Sequence, residues 1–572
     1  MEDDTGSEQR MKKRSGLLRL GFMLSLFLLI CSILTWYLYS FSWRSVHGGD
    51  LIFWSLIIGV FVVLFFELAT IDLTGWTIAL LVFQVVVLNL TLHGIYQLPF
   101  QVFYGTDAHW DMDSTRWILN TGHIDYTQGA SPTSSWPILH ILGATESLIS
   151  GFGLFSVVKI VPFTIELSLP MIVFILFRRM TPTLENRNLL SLASVVVFVT
   201  ISNHIEFGST YIRETMAVPL IAVVTYLAYR FRSESRTFEI AARTIMVIIA
   251  IELALTHHFS SFMFIVFCLI LTLYERSVKI VPSTFRKTFL SLVVIAAFSY
   301  WAFVAYSLLR QLSEFFYGML TPYAPTYSEL ARYTPTNIAT LRGYLLFYGF
   351  FIFLGLFSVV LLAKYRDIKE VYGSVLFLFA CGFISMISLF VVLLAIFPDR
   401  LLSFGWLFGS LPLVIAVFKL RRRRIRRLAI GLVSAFVLFN IYMIPPAFYS
   451  SPQSILVQPS YEDYSVASEV NMTDGRVLAY QNNRMAIIDV YGNNADSLLT
   501  ENLNGIKNRL DANPDYYDYV VVNNKLTEQI HASKGSEAQY SFYLSMLDSL
   551  ETGNEYDKVL DSNNIEIFAK GM

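Results

Sequence analysis

The chain contains the stretch LLSFGWLFGSLPLVIAVFKLRRRRIRR, from Leu401 to Arg427. Its first part is an apolar run close to the about 20 residues that a transmembrane helix needs, and its second part is rich in arginine. Because basic loops stay on the cytoplasmic side of a membrane, the stretch predicts both a span and its orientation. Apolar residues make up 55% of the 572 residues and charged residues 15%, which excludes a single soluble globule and a disordered chain.

Twelve further apolar runs bring the predicted number of spans to about thirteen. They start near Leu17, Leu51, Leu73, Pro162, Asn188, Thr215, Arg243, Phe259, Lys287, Arg342, Val371 and Arg427. When residues 1–16 are placed in the cytoplasm, alternation of the spans puts every dense basic loop on that same side. The predicted fold class is an α-helical polytopic membrane protein of the cell membrane, with residues 17–446 as its transmembrane domain.

An odd number of spans places the C-terminal residues 447–572 outside the cell. This tail carries 18 acidic and 8 basic residues, whereas the rest of the chain is net basic. Such asymmetry indicates two compartments and not nucleic-acid binding. Helices are predicted at Ser497–Leu510 and Ala538–Leu550, so we expect an external α/β domain. Its strands are predicted at Arg476–Tyr480, Met485–Val490, Tyr517–Val522 and Ile565–Ala569.

The longest external loop covers residues 93–161 and includes QVFYGTDAHWDMDSTRWILNTGHID. A helix is predicted over Ser114–Asn120, with Gly122 just past its end and three aspartates before it, Asp107, Asp111 and Asp113. Two interpretations stay open. The carboxylates either cap the helix in a solvated loop, or they form a cluster that holds a divalent cation or takes a proton from an acceptor hydroxyl.

A second, shorter apolar run follows in the same loop. Ser135 is the predicted N-cap, Pro137 lies just inside the helix, and the run continues to about Ile149. It is too short to span a membrane. We expect either a helix in the membrane interface or one that packs on the bundle.

Further polar residues are predicted at the external ends of the spans. They are Glu206, Arg213, Glu214, Glu252, His257, His258 and Arg400. Ionisable residues just inside an apolar run, and arginine forks that match phosphate oxygens, are typical of functional sites. The alternatives are a surface ion pair in the loop Asn203–Glu214, interfacial capping at Thr256–His258, and a snorkelling arginine in the hairpin Phe397–Arg400.

The first long loop carries a family resemblance. Asp107, Ser114-Thr115-Arg116 and Asn120-Thr121-Gly122-His123 are similar to the first external loop of GT-C glycosyltransferases, including oligosaccharyltransferase catalytic subunits of archaeal type. Two additional spans precede the loop here, and the Trp-Trp-Asp-Tyr-Gly motif that reads the acceptor sequon is absent. A transferase acting on a glycan or glycolipid therefore fits better than one acting on protein.

The resemblance implies transfer of a sugar, of the hexosyl type, from a polyprenyl (dolichyl) phosphate carrier to an external glycan, glycolipid or protein acceptor. It implies a base among the three aspartates of the loop. It implies donor-phosphate contacts from Arg400 and Arg213, with His257 and His258, and acceptor or metal contacts from Glu206, Glu214 and Glu252. Asp107 and Glu214 are the expected ligands if the enzyme uses Mg²⁺ or Mn²⁺.

Two other classes of protein remain. A transporter or lipid-carrier flippase would show paired half-repeats and charges near the bilayer midplane, whereas the acidic residues here gather at the external ends. The other class is an envelope protein whose helical bundle is inert and whose tail binds a partner. Deletion of the residues after about 450 would then abolish its activity or phenotype.

Overall fold

The structure is a computed structural model, and it describes residues 16, 20–35, 46–70, 73, 75–97, 106–124, 134–231, 236–280, 283–306, 371–388, 398–420, 423–449, 477–479, 499–500, 519–523, 556–561 and 565–570. The chain divides into two compact units. The first unit combines Met1–Tyr96 with Val161–Tyr442. The second combines Gln97–Ile160 with Met443–Met572.

The described part of the chain is mostly helical. Its helices are α1 (Leu20–Thr35), α2 (Val46–Thr70), α3 (Gly75–Gln97), α4 (Thr106–Thr121), α5 (Ile138–Ser150), α6 (Leu154–Met180), α7 (Arg187–Val199), α8 (Ser202–Ser209), α9 (Arg213–Arg230), α10 (Arg236–Thr256), α11 (His258–Ser277), α12 (Lys287–Phe303), α13 (Tyr372–Ser388), α14 (Pro398–Phe418) and α15 (Arg423–Tyr449). A helix lies at or near every predicted span start except that near Arg342, which lies outside the described residues.

Within the described residues, four helical segments are long and apolar enough to cross a membrane, and a bent pair of helices brings the number to five. The four are Gly75–Gly94, Leu154–Met180, His258–Ser277 and Arg400–Phe418. The multi-pass character expected from the sequence is therefore supported by helix length and composition. The number of about thirteen spans is not confirmed.

The bent pair consists of α7 and α8, which meet at an angle of 67°. The span predicted from Asn188 corresponds to α7, whereas the predicted loop Asn203–Glu214 is wrong, because it contains most of α8 and the first residues of α9. At the break, the Thr200 hydroxyl donates to the carbonyl of Val197 over 2.8 Å. A broken backbone among apolar helices persists only where such partners satisfy it, or where it lines a cavity.

Two predicted boundaries are also wrong. The span predicted from Pro162 begins at Leu154, so Pro162 lies inside α6. The predicted hairpin Phe397–Arg400 contains instead the first turn of α14, which begins at Pro398. Proline suits the first helical turn because its missing N–H would have no partner there. The consequence is that α14 holds Arg400 on a regular helix.

The first unit is held together around α14. Phe408 stacks on Phe267 of α11 with ring centroids 3.8 Å apart. Phe377 of α13 meets the ring of Phe408 edge-on, with centroids 5.9 Å apart. A Cβ at Gly409 would lie 2.5 Å from a methyl carbon of Leu378, so the glycine permits α13 to approach α14 closely. Close packing of this kind fixes the middle of α14 against α11 and α13.

The second unit contains α4 packed on α5 and a five-stranded sheet. The sheet order is β2-β1-β3-β5-β4, where β1 (Val477–Ala479) pairs in parallel with β2 (Leu499–Thr500) and β3 (Tyr519–Asn523). β5 (Ile565–Lys570) is antiparallel to β3 and to β4 (Tyr556–Asp561). The strands predicted at residues 476–480, 517–522 and 565–569 are confirmed, and β4 was not predicted.

One prediction in the tail is wrong in part. The helix predicted at Ser497–Leu510 overlaps β2, because the Leu499–Thr500 pair hydrogen-bonds to a neighbouring strand that local sequence does not reveal. The strand predicted at Met485–Val490 and the helix predicted at Ala538–Leu550 lie outside the described residues. The α/β assignment of the tail stays a prediction.

Candidate functional site

Polar residues gather at one end of the first unit. The ends of α9, α11 and α14 that lead to Arg230, Arg276 and Lys419 carry the basic residues of the connecting segments. The opposite ends carry Arg213, His258 and Arg400. The residues that define this group, called the Arg213–Arg400 cluster below, are Arg213, Glu214, His257, His258 and Arg400.

Arg400 is oriented by an acid and an aromatic ring. Its Nε atom lies 3.6 Å from Oε2 of Glu214, and its guanidinium carbon lies 5.6 Å above the centroid of Phe207. Glu214 stands in the first turn of α9, where the helix dipole stabilises a negative charge. The Glu214 side chain is 3% exposed and that of Arg400 is 24% exposed. The guanidinium is therefore positioned by buried partners but remains accessible to a ligand.

His257 and His258 form the second half of the cluster. His257 lies between α10 and α11, its Nδ1 atom is 2.7 Å from the Ser260 hydroxyl, and its ring meets that of His258 edge-on at 5.0 Å. Burial, followed by the charges of His258, Arg213 and Arg400, holds the pKa of His257 well below its usual range. His257 is consequently neutral at pH 7. The cluster joins guanidinium forks to a buried imidazole, a donor set that suits phosphate.

The aspartates of the long loop lie inside α4 and not ahead of a helix as predicted. Asp107 stands in the first turn, where its charge complements the helix dipole, and its side chain is exposed. Asp113 is buried and lies 3.8 Å from Arg116. The predicted helix end is confirmed, because Gly122 has a φ of +72° and its N–H donates to the carbonyl of Ile118 over 2.8 Å.

Asp111 has a buried partner that the sequence reasoning missed. Its Oδ1 atom lies 2.9 Å from Nε2 of His140, and both side chains are at most 1% exposed. His140 belongs to α5, whose N-cap position is occupied by Pro137 and not by Ser135 as predicted, since the carbonyl of Pro137 accepts the first helical bond from Ile141. A histidine inside an apolar run was the signal that could have indicated this contact.

The remaining predicted residues are less closely grouped. Glu206 on α8 and Glu252 on α10 are half-buried. Asp107 and Glu214 fall in different compact units, so their joint role as metal ligands stays a prediction. Within the described residues, the group of side chains that could hold a metal ion consists of His93, Glu166 and His204. None of these three was singled out from the sequence.

Comparisons with known proteins give weak similarities only. No family model matches the chain, and no curated protein matches it. Among solved structures, the chain is similar to the Archaeoglobus fulgidus oligosaccharyltransferase tethered with an acceptor peptide containing the NVT sequon, with a TM-score of 0.47 and 13% identity over 86% of this chain and 74% of that chain.

Two further solved structures show similarity at the same level. The same oligosaccharyltransferase in complex with Zn and sulfate gives a TM-score of 0.46 and 12% identity over 85% and 73% of the two chains. ArnT from Cupriavidus metallidurans bound to undecaprenyl phosphate gives a TM-score of 0.39 and 9% identity over 87% and 98%. Similarity at this level assigns no function, which depends on the chain's own residues.

Proposed function

We propose that the chain is a membrane glycosyltransferase of GT-C type that moves a sugar from a polyprenyl (dolichyl) phosphate carrier to a glycan, glycolipid or protein acceptor outside the cell. The observation that carries the proposal is the convergence of Arg213, His257 and Arg400 from three separate parts of the chain. This end of the first unit lies opposite the basic loops and is therefore external by the positive-inside rule. A donor set for phosphate at the outer membrane surface suits a lipid-linked sugar.

The proposed reaction is a direct displacement. The acceptor hydroxyl gives its proton to Asp107, its oxygen forms a bond to the anomeric carbon of the sugar, and the bond from that carbon to the carrier phosphate breaks. The electron pair of the broken bond leaves with the phosphate, where Arg400, Arg213 and His257 stabilise the developing charge. A single displacement inverts the configuration at the anomeric carbon. Asp107 suits the role of base because it is exposed and can meet an acceptor.

The other acidic residues receive positioning roles in this proposal. Asp111 and Asp113 are buried against His140 and near Arg116, so they hold α4 in place and are less suited to proton transfer. Glu214 orients Arg400. Asp107 and Glu214 remain the candidate ligands if the enzyme requires Mg²⁺ or Mn²⁺, and titration with EDTA and Mn²⁺ would test this requirement.

The proposal is tested with purified full-length protein, a polyprenyl-phosphate hexose with a radiolabelled sugar, and membrane glycolipids as acceptors. We expect transfer by the wild type and a loss of about 10²–10⁴-fold in Asp107→Asn, which removes the base without removing bulk. Glu185→Gln is the matched control, because Glu185 is an exposed acid in the segment between α6 and α7 and belongs to none of the proposed site residues. Full activity in Asp107→Asn would refute the assigned base.

The alternative, a flippase or transporter, has one observation in its favour. The break between α7 and α8 resembles the discontinuous helices that line substrate sites in transporters. The same purified protein in vesicles would separate the two functions. A flippase moves the labelled lipid across the bilayer without forming a glycosylated product, and this outcome would replace the transferase proposal.

A further inference from the structure

Three buried side chains that are not members of the Arg213–Arg400 cluster meet in the first unit. They come from three helices: His93 from α3, Glu166 from α6 and His204 from α8. Their exposures are 0%, 1% and 3%. One ligand atom of each lies within 4.8 Å of the ligand atoms of the other two. Buried charged groups of this kind need a compensating partner.

The distances fit a small cation. Oε2 of Glu166 lies 3.4 Å from Nε2 of His93 and 3.4 Å from Nε2 of His204. Two ligand atoms that each lie about 2.1 Å from a tetrahedral ion are separated by about 3.4 Å. A separation of 3.4 Å is long for a hydrogen bond. Both Nε2 atoms are buried and make no hydrogen bond to any described residue, and the same is true of Oε1 of Glu166. The two separations of 3.4 Å therefore match the distance between neighbouring ligand atoms around a tetrahedral ion.

Neighbouring groups hold these side chains in a ligating orientation. Nδ1 of His93 lies 2.7 Å from the carbonyl of Asn89, and because a carbonyl only accepts, Nδ1 carries the proton and Nε2 offers its lone pair. The Asn89 amide donates to Oε2 of Glu166 over 3.1 Å. The ring of His204 stacks on Phe198 with centroids 4.4 Å apart. Supporting contacts of this type are found around metal ligands, where they fix tautomer and ring orientation.

Gly208 leaves room beside the ligand atoms. A Cβ at this position would lie 2.5 Å from Oε1 of Glu166 and 2.6 Å from Nε2 of His93. Any other residue would therefore collide with the two ligands. The glycine of α8 thus keeps open the space beside atoms that lack hydrogen-bond partners.

We propose that His93, Glu166 and His204 bind one divalent transition-metal ion of the zinc class, with the fourth coordination position left to water. Two imidazoles and one carboxylate favour such an ion over Mg²⁺ or Ca²⁺, which prefer oxygen ligands. The ion links α3 and α6 to α8, and so fixes the second half of the broken helix that carries Phe207 beneath Arg400. The assignment of this metal site does not rest on the proposed sugar transfer.

The test uses full-length protein in detergent, stripped with EDTA and titrated with Co²⁺. We expect the visible absorption of a tetrahedral Co²⁺ site, a stoichiometry of one ion per chain, and displacement by Zn²⁺. Glu166→Gln removes a ligand, and Gly208→Ala fills the space without removing one. Both variants are expected to weaken Co²⁺ binding by at least the about 10–100-fold that loss of a supporting contact costs. His123→Gln, which removes an exposed imidazole, is expected to bind as the wild type does.

Two results would overturn the proposal. One is the absence of Co²⁺ and Zn²⁺ binding by folded wild-type protein, and the other is unchanged binding in Gly208→Ala and Glu166→Gln. Size-exclusion chromatography identifies a variant that fails to fold, in which case the other variant decides. Because metal content is measured without a sugar substrate, failure here leaves the transferase proposal intact.

Discussion

Replacing Arg400 by glutamine should have two separable effects. The first is on stability, because the variant removes the guanidinium from Glu214, whose side chain is 3% exposed. Loss of one partner of a buried acceptor costs about 1–3 kcal/mol, and we expect the lower half of that range since Arg400 is 24% exposed. The second is on transfer. A charge-assisted contact to phosphate contributes about 1.5–3 kcal/mol, or roughly 10- to 150-fold in kcat/KM.

The double variant Arg400→Gln/Glu214→Gln distinguishes the two effects. Glu214→Gln removes the buried carboxylate charge that Arg400→Gln alone leaves without the Arg400 guanidinium, so the melting temperature should return part of the way toward the wild-type value while transfer stays low. Scanning fluorimetry in detergent gives the melting temperature, and initial rates with labelled donor give kcat/KM. Arg276→Gln, at an exposed arginine on the opposite side, is the control. Recovery of transfer together with stability in the double variant would show that Arg400 has only a structural role.

Three further predictions concern single side chains. His140→Ala should lower the melting temperature more than Asp107→Asn does, because it leaves the carboxylate of Asp111 buried without its imidazole; equal melting temperatures would contradict this. His257 has a lowered pKa in the folded protein, so the unfolded chain binds more protons below about pH 6.5 and stability should fall as the pH decreases, by at most about 1.4 kcal/mol per pH unit. His257→Gln should flatten that decrease, and a thermal melt series from pH 7 to pH 5 that is identical to wild type would refute the assignment. Asn89→Leu should weaken Co²⁺ binding by about 10–100-fold while leaving all three ligands in place, and a metal titration of the variant checks this.

The sequence predicts regular elements well where the signal is local. The apolar runs predict the positions of the helices. Gly122 predicts a helix end, because only a residue without a Cβ adopts its positive φ without strain. The strands near residues 477, 519 and 565 follow from β-branched and aromatic runs. Each of these features depends on a few adjacent residues.

The site is less predictable because its contacts are distant in the chain. The apolar run from Asn188 predicts a span that ends before Asn203, and it does not reveal that a second helix, α8, follows at an angle of 67°. His140 and Glu166 stand inside apolar runs, and only the fold shows their partners. Asp111 lies beside His140, and two histidines lie beside Glu166. Periodicity and hydropathy contain no information about such partners.

The central claim is that the chain transfers a sugar from a polyprenyl phosphate carrier. The most direct measurement is the formation of radiolabelled glycolipid from polyprenyl-phosphate hexose by the purified wild-type protein, compared with Asp107→Asn at equal folded concentration. We expect product with inverted anomeric configuration from the wild type and a loss of at least about 100-fold in the variant. Product formed equally by both proteins would contradict the assigned chemistry, and movement of the labelled lipid without product would contradict transfer itself.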